Sequence, residues 1–360
     1  MTGQHIVVVG AGYAGLTAAT RAGRRNRVTL VAPEARFLHR IRQHETAAGH
    51  PEQRPPLARL VRGRQVTHLQ ARVTELDLTG KKVFLASGEA LAYDTLVYAL
   101  GSRTAWLGVP GAAEHAYSVE RTTELRDRLH GAELGGTERP GTVAVVGGGA
   151  TAIELAAELA EAYPQWRVRI IADGQVGGWL SAKGRAHVLR VFDRLGVQLD
   201  EYAPVTAVTP QGPRTDQGVI DAEVTVWAAA MEPAALAADA GLAIAPDGRA
   251  LVDDHLRSVS HPDVHVIGDA ASVTLPGLGT LRMGCATAQP MGMYVGRLLS
   301  GRTTEPFAYR YVAQCLSLGR RDGLLQLIHG DDSMRPTALT GVTGRLAKAL
   351  IVSGVTAGLR

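Results

Sequence analysis

The sequence predicts an α/β fold made of two doubly wound lobes, followed by a small C-terminal segment. The first observation is an apolar run, residues 5–9, that ends in the pattern G-x-G-x-x-G at Gly10, Gly12 and Gly15. The second observation is a repeat of this plan at residues 143–152. The third is that each copy is followed by a small-residue helical stretch and by another short apolar strand. In such a β-α-β context the glycine pattern becomes specific.

Each glycine of the first copy has a physical task in a Rossmann-like dinucleotide-binding turn. Gly10 makes the tight turn, Gly12 lets the backbone approach a pyrophosphate, and Gly15 lets helix and strand pack closely. The pyrophosphate then lies against the N–H groups and the positive dipole end of the helix. A single pattern of this kind also occurs in ordinary tight turns. Two copies weaken that alternative and predict two dinucleotide sites.

The second copy has Gly147 and Gly149 at the first two positions and Ala152 at the third, which the pattern tolerates. One chain with two such sites is expected to bind one flavin dinucleotide and one nicotinamide dinucleotide. The strands that follow the two copies should end in an acid that holds a ribose hydroxyl, but alanine stands at both positions. Glu34 and Asp173 lie close behind and are the candidates for that role.

The composition is that of a globular protein of two or three domains. The chain has 360 residues, of which 46% are hydrophobic and 20% charged, and a formal net charge of +4. Its two cysteines, Cys285 and Cys315, are too few for a disulfide scaffold, an iron–sulfur cluster or an all-cysteine zinc site. There is no block of lysine and arginine, so nucleic acid is not an expected partner. The N-terminus lacks a secretory pattern, which makes the cytoplasm the expected location.

Two further segments carry a family resemblance. Residues 93–102 are similar to the strand and turn that close the first lobe of two-dinucleotide flavoproteins, and residues 261–271 to their strand ending in Gly-Asp. Together with residues 147–154, they resemble pyridine-nucleotide-dependent FAD reductases, in particular type II NADH:quinone oxidoreductases and their relatives. Residues 306–309 also resemble that branch.

The resemblance implies a discontinuous FAD lobe, residues 1–112 and 250–302, with an NAD(P) lobe inserted at residues 113–249. Residues 303–360 then form a C-terminal pair of strands, about 309–318 and 323–328, and a helix at about 344–355. On that helix we expect an apolar stripe, with Arg345 and Lys348 towards the other side. The stripe could cover the protein's own core, a second subunit of a homodimer, or a membrane surface reached peripherally.

The resemblance also implies the residues that bind FAD. Asp269 would take a ribityl hydroxyl, with a helix N-cap as its alternative role. Ala288 and Gln289 would lie against the flavin ring, unless residues 283–290 are only a structural helix start. The remaining expected contacts are Gly10, Ala11, Gly12, Tyr13, Ala14, Gly15, Glu34, Val73, Ala99, Gly101 and Gly268.

Glu154 is the candidate catalytic residue, because in the resembled families this glutamate lies where nicotinamide meets flavin. The alternative is an exposed glutamate that complements the dipole of its helix. The nicotinamide dinucleotide would be held by Gly147, Gly149, Ala152 and Asp173. Asp173 would repel a 2′-phosphate, so NADH is preferred over NADPH.

The stretch between Phe37 and Gly49 is polar and basic, and it predicts a solvated helix face. The alternative is that His39, His44 and Glu45 line an acceptor pocket. His44 and Glu45 are adjacent rather than one turn apart, which argues against a helical metal site, and no metal is expected.

These observations predict an FAD-dependent NAD(P)H oxidoreductase that reduces a quinone-like or other small acceptor. The absence of a Cys-x-x-Cys motif excludes a dithiol mechanism, and Cys285 and Cys315 are expected to be core thiols rather than a polysulfide relay. Three alternatives remain open: a metabolite dehydrogenase or oxidase with weak NAD(P)H use, a reductase of an iron–sulfur protein, and a non-enzymatic flavin redox sensor.

Overall fold

The computed structural model describes residues 3–52, 54–134 and 141–359. The first part of the chain alternates strands and helices and then forms a small antiparallel sheet. In chain order its elements are β1 (His5–Val9), α1 (Tyr13–Ala22), β2 (Arg27–Ala32), α2 (Gln43–Ala47), α3 (Leu57–Leu60), β3 (Val66–Gln70), β4 (Val73–Asp77), β5 (Lys82–Leu85), β6 (Ala90–Ala92), β7 (Thr95–Tyr98) and β8 (Ser102–Thr104).

The middle part of the chain repeats this alternation. Its elements are α4 (Ala112–His115), β9 (Ala116–Ser118), α5 (Thr122–Leu134), β10 (Thr142–Val146), α6 (Ala150–Ala162), β11 (Arg167–Ile171), α7 (Ala182–Leu195), β12 (Gln198–Asp200), β13 (Ala207–Thr209), β14 (Gly212–Thr215), β15 (Gly218–Val219) and β16 (Val224–Trp227).

The last part of the chain returns to the first sheet and then adds a separate layer. Its elements are β17 (Met231–Pro233), α8 (Leu236–Asp239), β18 (Ala250–Leu251), β19 (Val264–Val266), β20 (Ala271–Ser272), β21 (Thr274–Leu275), β22 (Gly279–Thr280), α9 (Cys285–Leu299), β23 (Ala313–Ser317), β24 (Gly323–Ile328), β25 (Met334–Thr340) and α10 (Gly341–Ala357).

The first lobe is built on a parallel sheet with the order β19-β7-β1-β2-β3. β1 is central, and its residues from Ile6 to Val9 are fully buried, because a parallel sheet is covered on both faces. β-branched residues suit such a strand, and each buried valine or isoleucine contributes about 1.5–3 kcal/mol. The small residues of α1 let it lie close to the sheet, and within this helix only Arg21 is not fully buried.

The second lobe has a parallel sheet with the equivalent order β12-β11-β10-β16-β9. In both lobes the strand before the glycine pattern is central and pairs with the strand that follows the helix. The α/β class with two doubly wound lobes is therefore confirmed.

The chain passes from the first lobe to the second after β8 and returns at β17, and these two crossings pair with each other. Met231 lies opposite Thr104, and Pro233 lies opposite Ser102, in an antiparallel ribbon. The Ala105 N–H donates to the Ala230 carbonyl over 3.1 Å, which extends the ribbon by one bond. The connection between the lobes is thus a hydrogen-bonded strand pair.

The C-terminal segment contains a three-stranded antiparallel sheet, β23-β24-β25, within the described residues. The prediction of a strand pair was therefore wrong, since β25 is an additional strand. It contains Pro336 and pairs only with β24, and proline is tolerated on an edge strand although it weakens the sequence signal.

The final helix is longer than predicted, because α10 runs from Gly341 to Ala357. Contacts with β23, β24 and β25 support it despite its glycines. Across the part of the chain that the structure describes, no helix is long and apolar enough to span a membrane.

Candidate functional site

The turn after β1 has the geometry that the glycine pattern predicts. Gly10 has a φ of +103°, and a Cβ there would lie 2.3 Å from the Ala99 carbonyl oxygen. A Cβ on Gly15 would lie 1.9 Å from the Gly10 carbonyl oxygen. Around Gly12, in contrast, nothing lies within 4 Å of the Cβ position. Two glycines are therefore required by the packing of the chain, and the third borders open space.

The turn after β10 repeats this arrangement. Gly147 has a φ of +133°, and a Cβ there would lie 2.5 Å from the Ala228 carbonyl oxygen, whereas the Cβ position of Gly149 is open. The Gly10 N–H donates to the Val31 carbonyl over 2.9 Å, and the Gly147 N–H makes the equivalent bond to Ile171 over 2.7 Å.

Both turns end at an open helix N-terminus. Gly12 is the N-cap of α1 and Gly149 is the N-cap of α6, and no described side chain caps either helix. The first N–H groups of an uncapped helix attract anions. Open space in front of these groups fits the pyrophosphate of a dinucleotide at each turn.

The acids expected near the ribose positions are exposed. Glu34 follows β2, and Asp173 follows β11, whereas Ala32 and Ala172 at the strand ends are buried. Two other first-lobe positions lie in the connection between β7 and β8: Ala99 is buried, and Gly101 has a φ of +71° with open space at its Cβ position. Val73 is half-buried at the start of β4.

Asp269 lies in a three-residue 3-10 turn, Gly268–Ala270, where the chain leaves β19. Its Oδ2 accepts from the Ser102 hydroxyl and its Oδ1 from the Gly284 N–H, each over 2.7 Å. Gly284 is the N-cap of α9. The alternative of a helix starting at Ala270 was therefore wrong. The half-buried carboxylate instead joins the β19 turn, the start of β8 and the start of α9.

The start of α9 is covered by the C-terminal helix. Ala288 and Gln289 are both buried, and the Gln289 side chain donates to the Val355 carbonyl of α10 over 2.9 Å. A Cβ on Gly268 would lie 3.1 Å from the Ala14 Cβ and 3.6 Å from the Ala288 Cβ. The first helix, the β19 turn and α9 thus converge at one point.

Glu154 is largely buried rather than on an exposed helix turn. Its Oε1 accepts from the Ser317 N–H over 2.8 Å and also pairs with the Nζ of Lys348. Its Oε2 lies 3.8 Å from Nδ1 of His44. The side chains of Glu154 and Lys348 are only 15% and 11% exposed. The position of Lys348 away from the core was therefore predicted wrongly, because this side chain points inward to Glu154.

A second buried acid lies one turn further along α6. Glu158 accepts from the Ser317 hydroxyl over 3.1 Å and pairs with Arg320, which also lies 3.5 Å from Glu45. Burial raises the pKa of Glu158, and Arg320 opposes this only in part. Burial also acts on the pKa of Glu45, but the hydrogen bond from Arg42 and the charge of Arg320 lower it overall. The partners from the C-terminal segment were not found by sequence reasoning.

The predicted solvated face of residues 37–49 was wrong, because His39 and His44 are both buried. α2 packs against α5 and α6 of the second lobe and so removes His44 from solvent, while the ring of His39 lies 4.7 Å from that of Phe37. Burial holds the pKa of His44 well below its ordinary value, with Lys348 acting in the same direction. The Nε2 atom of His44 has no hydrogen-bond partner among the described residues. The Tyr13 hydroxyl lies 3.3 Å from Nδ1 of His39.

The two cysteines are free and partly buried. Burial raises the pKa of Cys285 to about 12 and also raises that of Cys315. Such thiols are mostly protonated at neutral pH and are poor nucleophiles. Among the described residues, no three His, Cys, Asp or Glu side chains converge as they would around a metal ion.

Residues 4–292 match the family described as pyridine nucleotide-disulphide oxidoreductase. An NADH dehydrogenase-like protein of Mycobacterium tuberculosis is 31% identical over 314 residues, which cover 81% of this chain and 78% of that protein. A type II NADH:quinone oxidoreductase of Staphylococcus epidermidis is 24% identical over 365 residues, covering 91% of this chain and 90% of that protein.

A solved structure is also similar. NDH2 of Plasmodium falciparum, in complex with NADH, matches with a TM-score of 0.83, and the match covers 98% of this chain and 94% of that one. The sequence identity is 15%, so this likeness establishes the fold.

Proposed function

Because the chain belongs to the pyridine nucleotide-disulphide oxidoreductase family, we propose that it is an FAD-dependent enzyme that oxidises NADH and reduces a quinone-like acceptor. The observation that carries this proposal is the buried pair of Glu154 and Lys348, which joins the helix of the second glycine turn to the C-terminal segment. The quinone-like acceptor is further supported by similarity to the Staphylococcus epidermidis quinone oxidoreductase.

The two open helix N-termini would hold the two dinucleotides. The N–H groups after Gly12 are suited to the pyrophosphate of FAD, and those after Gly149 to that of NADH. Asp269 and the start of α9 would lie along the flavin, as the contacts of Ala288 with the β19 turn support. These residues would hold FAD, which would supply the hydride and two-electron chemistry between NADH and the acceptor.

A quinone takes up two electrons and two protons when it is reduced to a quinol. The hydride of NADH accounts for the electrons and one proton, and Glu154 and Lys348 would supply the second proton. The carboxylate holds the Lys348 ammonium in place, and that ammonium can donate a proton from its Nζ atom. The Ser317 N–H fixes the orientation of the same carboxylate. Burial excludes water from this pair and strengthens its electrostatic interaction. His44, with its unpartnered Nε2, supplies a further polar atom beside the pair.

Flavin reduction and acceptor reduction can be tested separately. The purified protein should be yellow and should release free FAD in acid. Anaerobic mixing with NADH should bleach the flavin, and bleaching should be slower with NADPH because Asp173 would repel the 2′-phosphate. Addition of a short-chain quinone should restore the colour, and excess NADH should then be oxidised continuously.

Three results would contradict parts of this function. A colourless protein that cannot be reconstituted removes the flavin assignment. A flavin that NADH does not bleach favours one of two alternative functions, a metabolite dehydrogenase or a redox sensor. If NADH bleaches the flavin rapidly and an iron–sulfur protein reoxidises it but a quinone does not, the acceptor is an iron–sulfur protein.

A further inference from the structure

The helices α1 and α9 run side by side from the proposed flavin site to the opposite edge of the first sheet. A Cβ on Gly292 would lie 2.2 Å from the Ala14 carbonyl oxygen, and one on Gly296 would lie 2.8 Å from that of Ala18. Positions four residues apart on α9 thus contact positions four residues apart on α1, and in the same direction. The C-terminal ends of both helices therefore lie together.

A cavity of about 250 Å³ lies at these C-terminal ends. Its wall includes five arginines, Arg21, Arg24, Arg64, Arg297 and Arg302. Two of them come from α1 and the turn after it, and two from α9 and the turn after it. Because α1 is ten residues long, the cavity lies about 15 Å from the Gly12 turn and is separate from the dinucleotide sites.

The described part of the chain offers no carboxylate to balance the positive charge of this cavity. Among the described residues, no carboxylate lies within ion-pair distance of any of the five arginines. Arg21 donates to the Gly358 carbonyl over 3.2 Å, and Arg64 to the carbonyl of the neighbouring Gly63 over 3.4 Å. Burial lowers the pKa of Arg21, and the charges of Arg24 and its neighbours lower it further. Elsewhere, the buried Arg249 is paired with Asp247 over 2.6 Å.

The two helix C-termini offset only part of this charge. Each helix end carries the equivalent of about half a negative charge, so the two together balance roughly one guanidinium. About four positive charges remain around a single concavity. Arg21 and Arg64 are half-buried, and the other three arginines are exposed. Like charges held close together repel one another, and an anion between them relieves this repulsion.

We propose that this cavity is a binding site for an anion that carries two or more phosphate groups. Guanidinium groups bind phosphate oxygens through paired, charge-assisted hydrogen bonds, and several can share one polyphosphate. One water molecule takes roughly 30 Å³ in the liquid, so the cavity has the volume of about eight water molecules. That volume is enough for a pair of phosphate groups. The phosphates can belong to a soluble diphosphate or to the headgroups of an anionic lipid.

The test measures binding of inorganic pyrophosphate to the full-length, flavin-loaded protein by calorimetry at low salt. The variant is Arg24→Gln with Arg297→Gln. The matched control is Lys183→Gln with Arg190→Gln, which removes the same charge from exposed positions of α7. We expect the dissociation constant to rise at least about tenfold in the variant and to stay unchanged in the control. The proposal is overturned if pyrophosphate does not bind, or if its binding is weakened equally in the variant and in the control.

Thermal melting separates a binding role from a structural one. Without added anion and at low salt, the Arg24/Arg297 variant should melt at least as high as the unmodified protein, because it has less repulsion. With pyrophosphate present, the unmodified protein should melt higher, because ligand binding stabilises the folded state. A variant that is already less stable without anion shows that the arginines support the fold, and the proposal then fails.

Vesicles distinguish the two sources of phosphate. Co-sedimentation with phosphatidylglycerol vesicles, weakened by pyrophosphate and by the Arg24/Arg297 substitutions, identifies lipid headgroups as the source. Pyrophosphate binding with no difference between phosphatidylglycerol and phosphatidylcholine vesicles identifies a soluble diphosphate. Vesicle binding that survives the substitutions, together with no binding of pyrophosphate, overturns the proposal.

Discussion

The two lobes share one backbone plan, but their first helices carry different chemistry. α1 has no acidic residue and packs against the glycines of α9. α6 carries Glu154, Glu158 and Glu161, and all three accept hydrogen bonds from the C-terminal segment. The glycine turn, which is suited to a pyrophosphate, is thus common to both lobes. The residues further along each helix determine what else that lobe does.

The lobes also differ in the origin of their edge strands. β19 joins the first sheet beside β7 after the chain has completed the whole second lobe, whereas the equivalent strand β9 precedes β10. The turn after β19 therefore brings Asp269 to the first lobe from far along the chain. No comparable turn follows β9, because α5 begins soon after it.

The largest expected effect separates the two glycine turns. Gly12→Val places a side chain in the open space before α1, so we expect loss of bound FAD. Gly149→Val does the same before α6, and we expect FAD to stay bound while reduction by NADH slows roughly a hundredfold or more, as a misplaced reactant does. Flavin absorbance and stopped-flow bleaching measure the two effects. Loss of FAD from both variants would contradict the assignment of the sites.

The third position of the pattern should distinguish the lobes in stability. Gly15→Ala forces a Cβ to 1.9 Å from a backbone oxygen that cannot rotate away, so we expect about 4 kcal/mol of destabilisation. The reverse change in the second lobe, Ala152→Gly, should cost only about 1 kcal/mol of helix propensity. Urea unfolding of both variants measures the difference, and equal costs would show that the two turns are packed alike.

We expect acid to destabilise the first lobe more than the second. His265 lies on β19, and burial lowers its pKa to about 4, whereas the equivalent position of β9 is Tyr117. The folded state holds this histidine neutral while the unfolded chain takes up a proton below about pH 6.5. The contribution of His265 to the free energy of unfolding is therefore fully present above that pH and is lost as the pH falls towards 4.

For His265 this linkage is worth about 2 kcal/mol between pH 7 and pH 5. Urea midpoints at the two pH values measure it, and His265→Gln should lose less stability over that interval than the unmodified protein. An identical loss in the variant would assign the acid sensitivity to other groups, such as His44.

The smallest expected effect concerns the acids of α6. Glu154→Gln removes the charge that holds Lys348, and we expect reoxidation of the flavin by quinone to slow about tenfold. This is less than the hundredfold or more that a proton-transfer group itself contributes, because the Lys348 ammonium remains. Bleaching by NADH should remain nearly unchanged. Glu161→Gln is the matched control, since Glu161 is also bonded to the C-terminal segment but lies two turns away. Equal slowing in both variants would indicate a structural role only.

The sequence predicted those features that depend on local geometry. Strained turns need glycine, so Gly10 and Gly147 could be identified from their spacing and from the apolar strands before them. Central strands are apolar throughout, which made β1 and β10 visible. The edge strand β25, with Pro336 and few buried residues, has neither signal and was missed.

Contacts between distant residues could not be predicted in the same way. Lys348 lies nearly two hundred residues from Glu154, and its helix position alone suggested the solvent side. His44 is polar and lies in a basic stretch, yet packing of α2 against the second lobe buries it. Both outcomes depend on how the lobes and the C-terminal segment assemble, which local patterns do not encode.

The paired crossings β8 and β17 have a mechanical consequence. Two independent linkers could move separately, whereas two strands paired by hydrogen bonds are tied to each other. An ion pair between Arg103 and Glu232, at 2.8 Å, bridges its outer side, and the Trp227 indole N–H donates to Ala105 at its end. A change in the relative position of the lobes must therefore deform both crossings together, because neither strand can move without its partner.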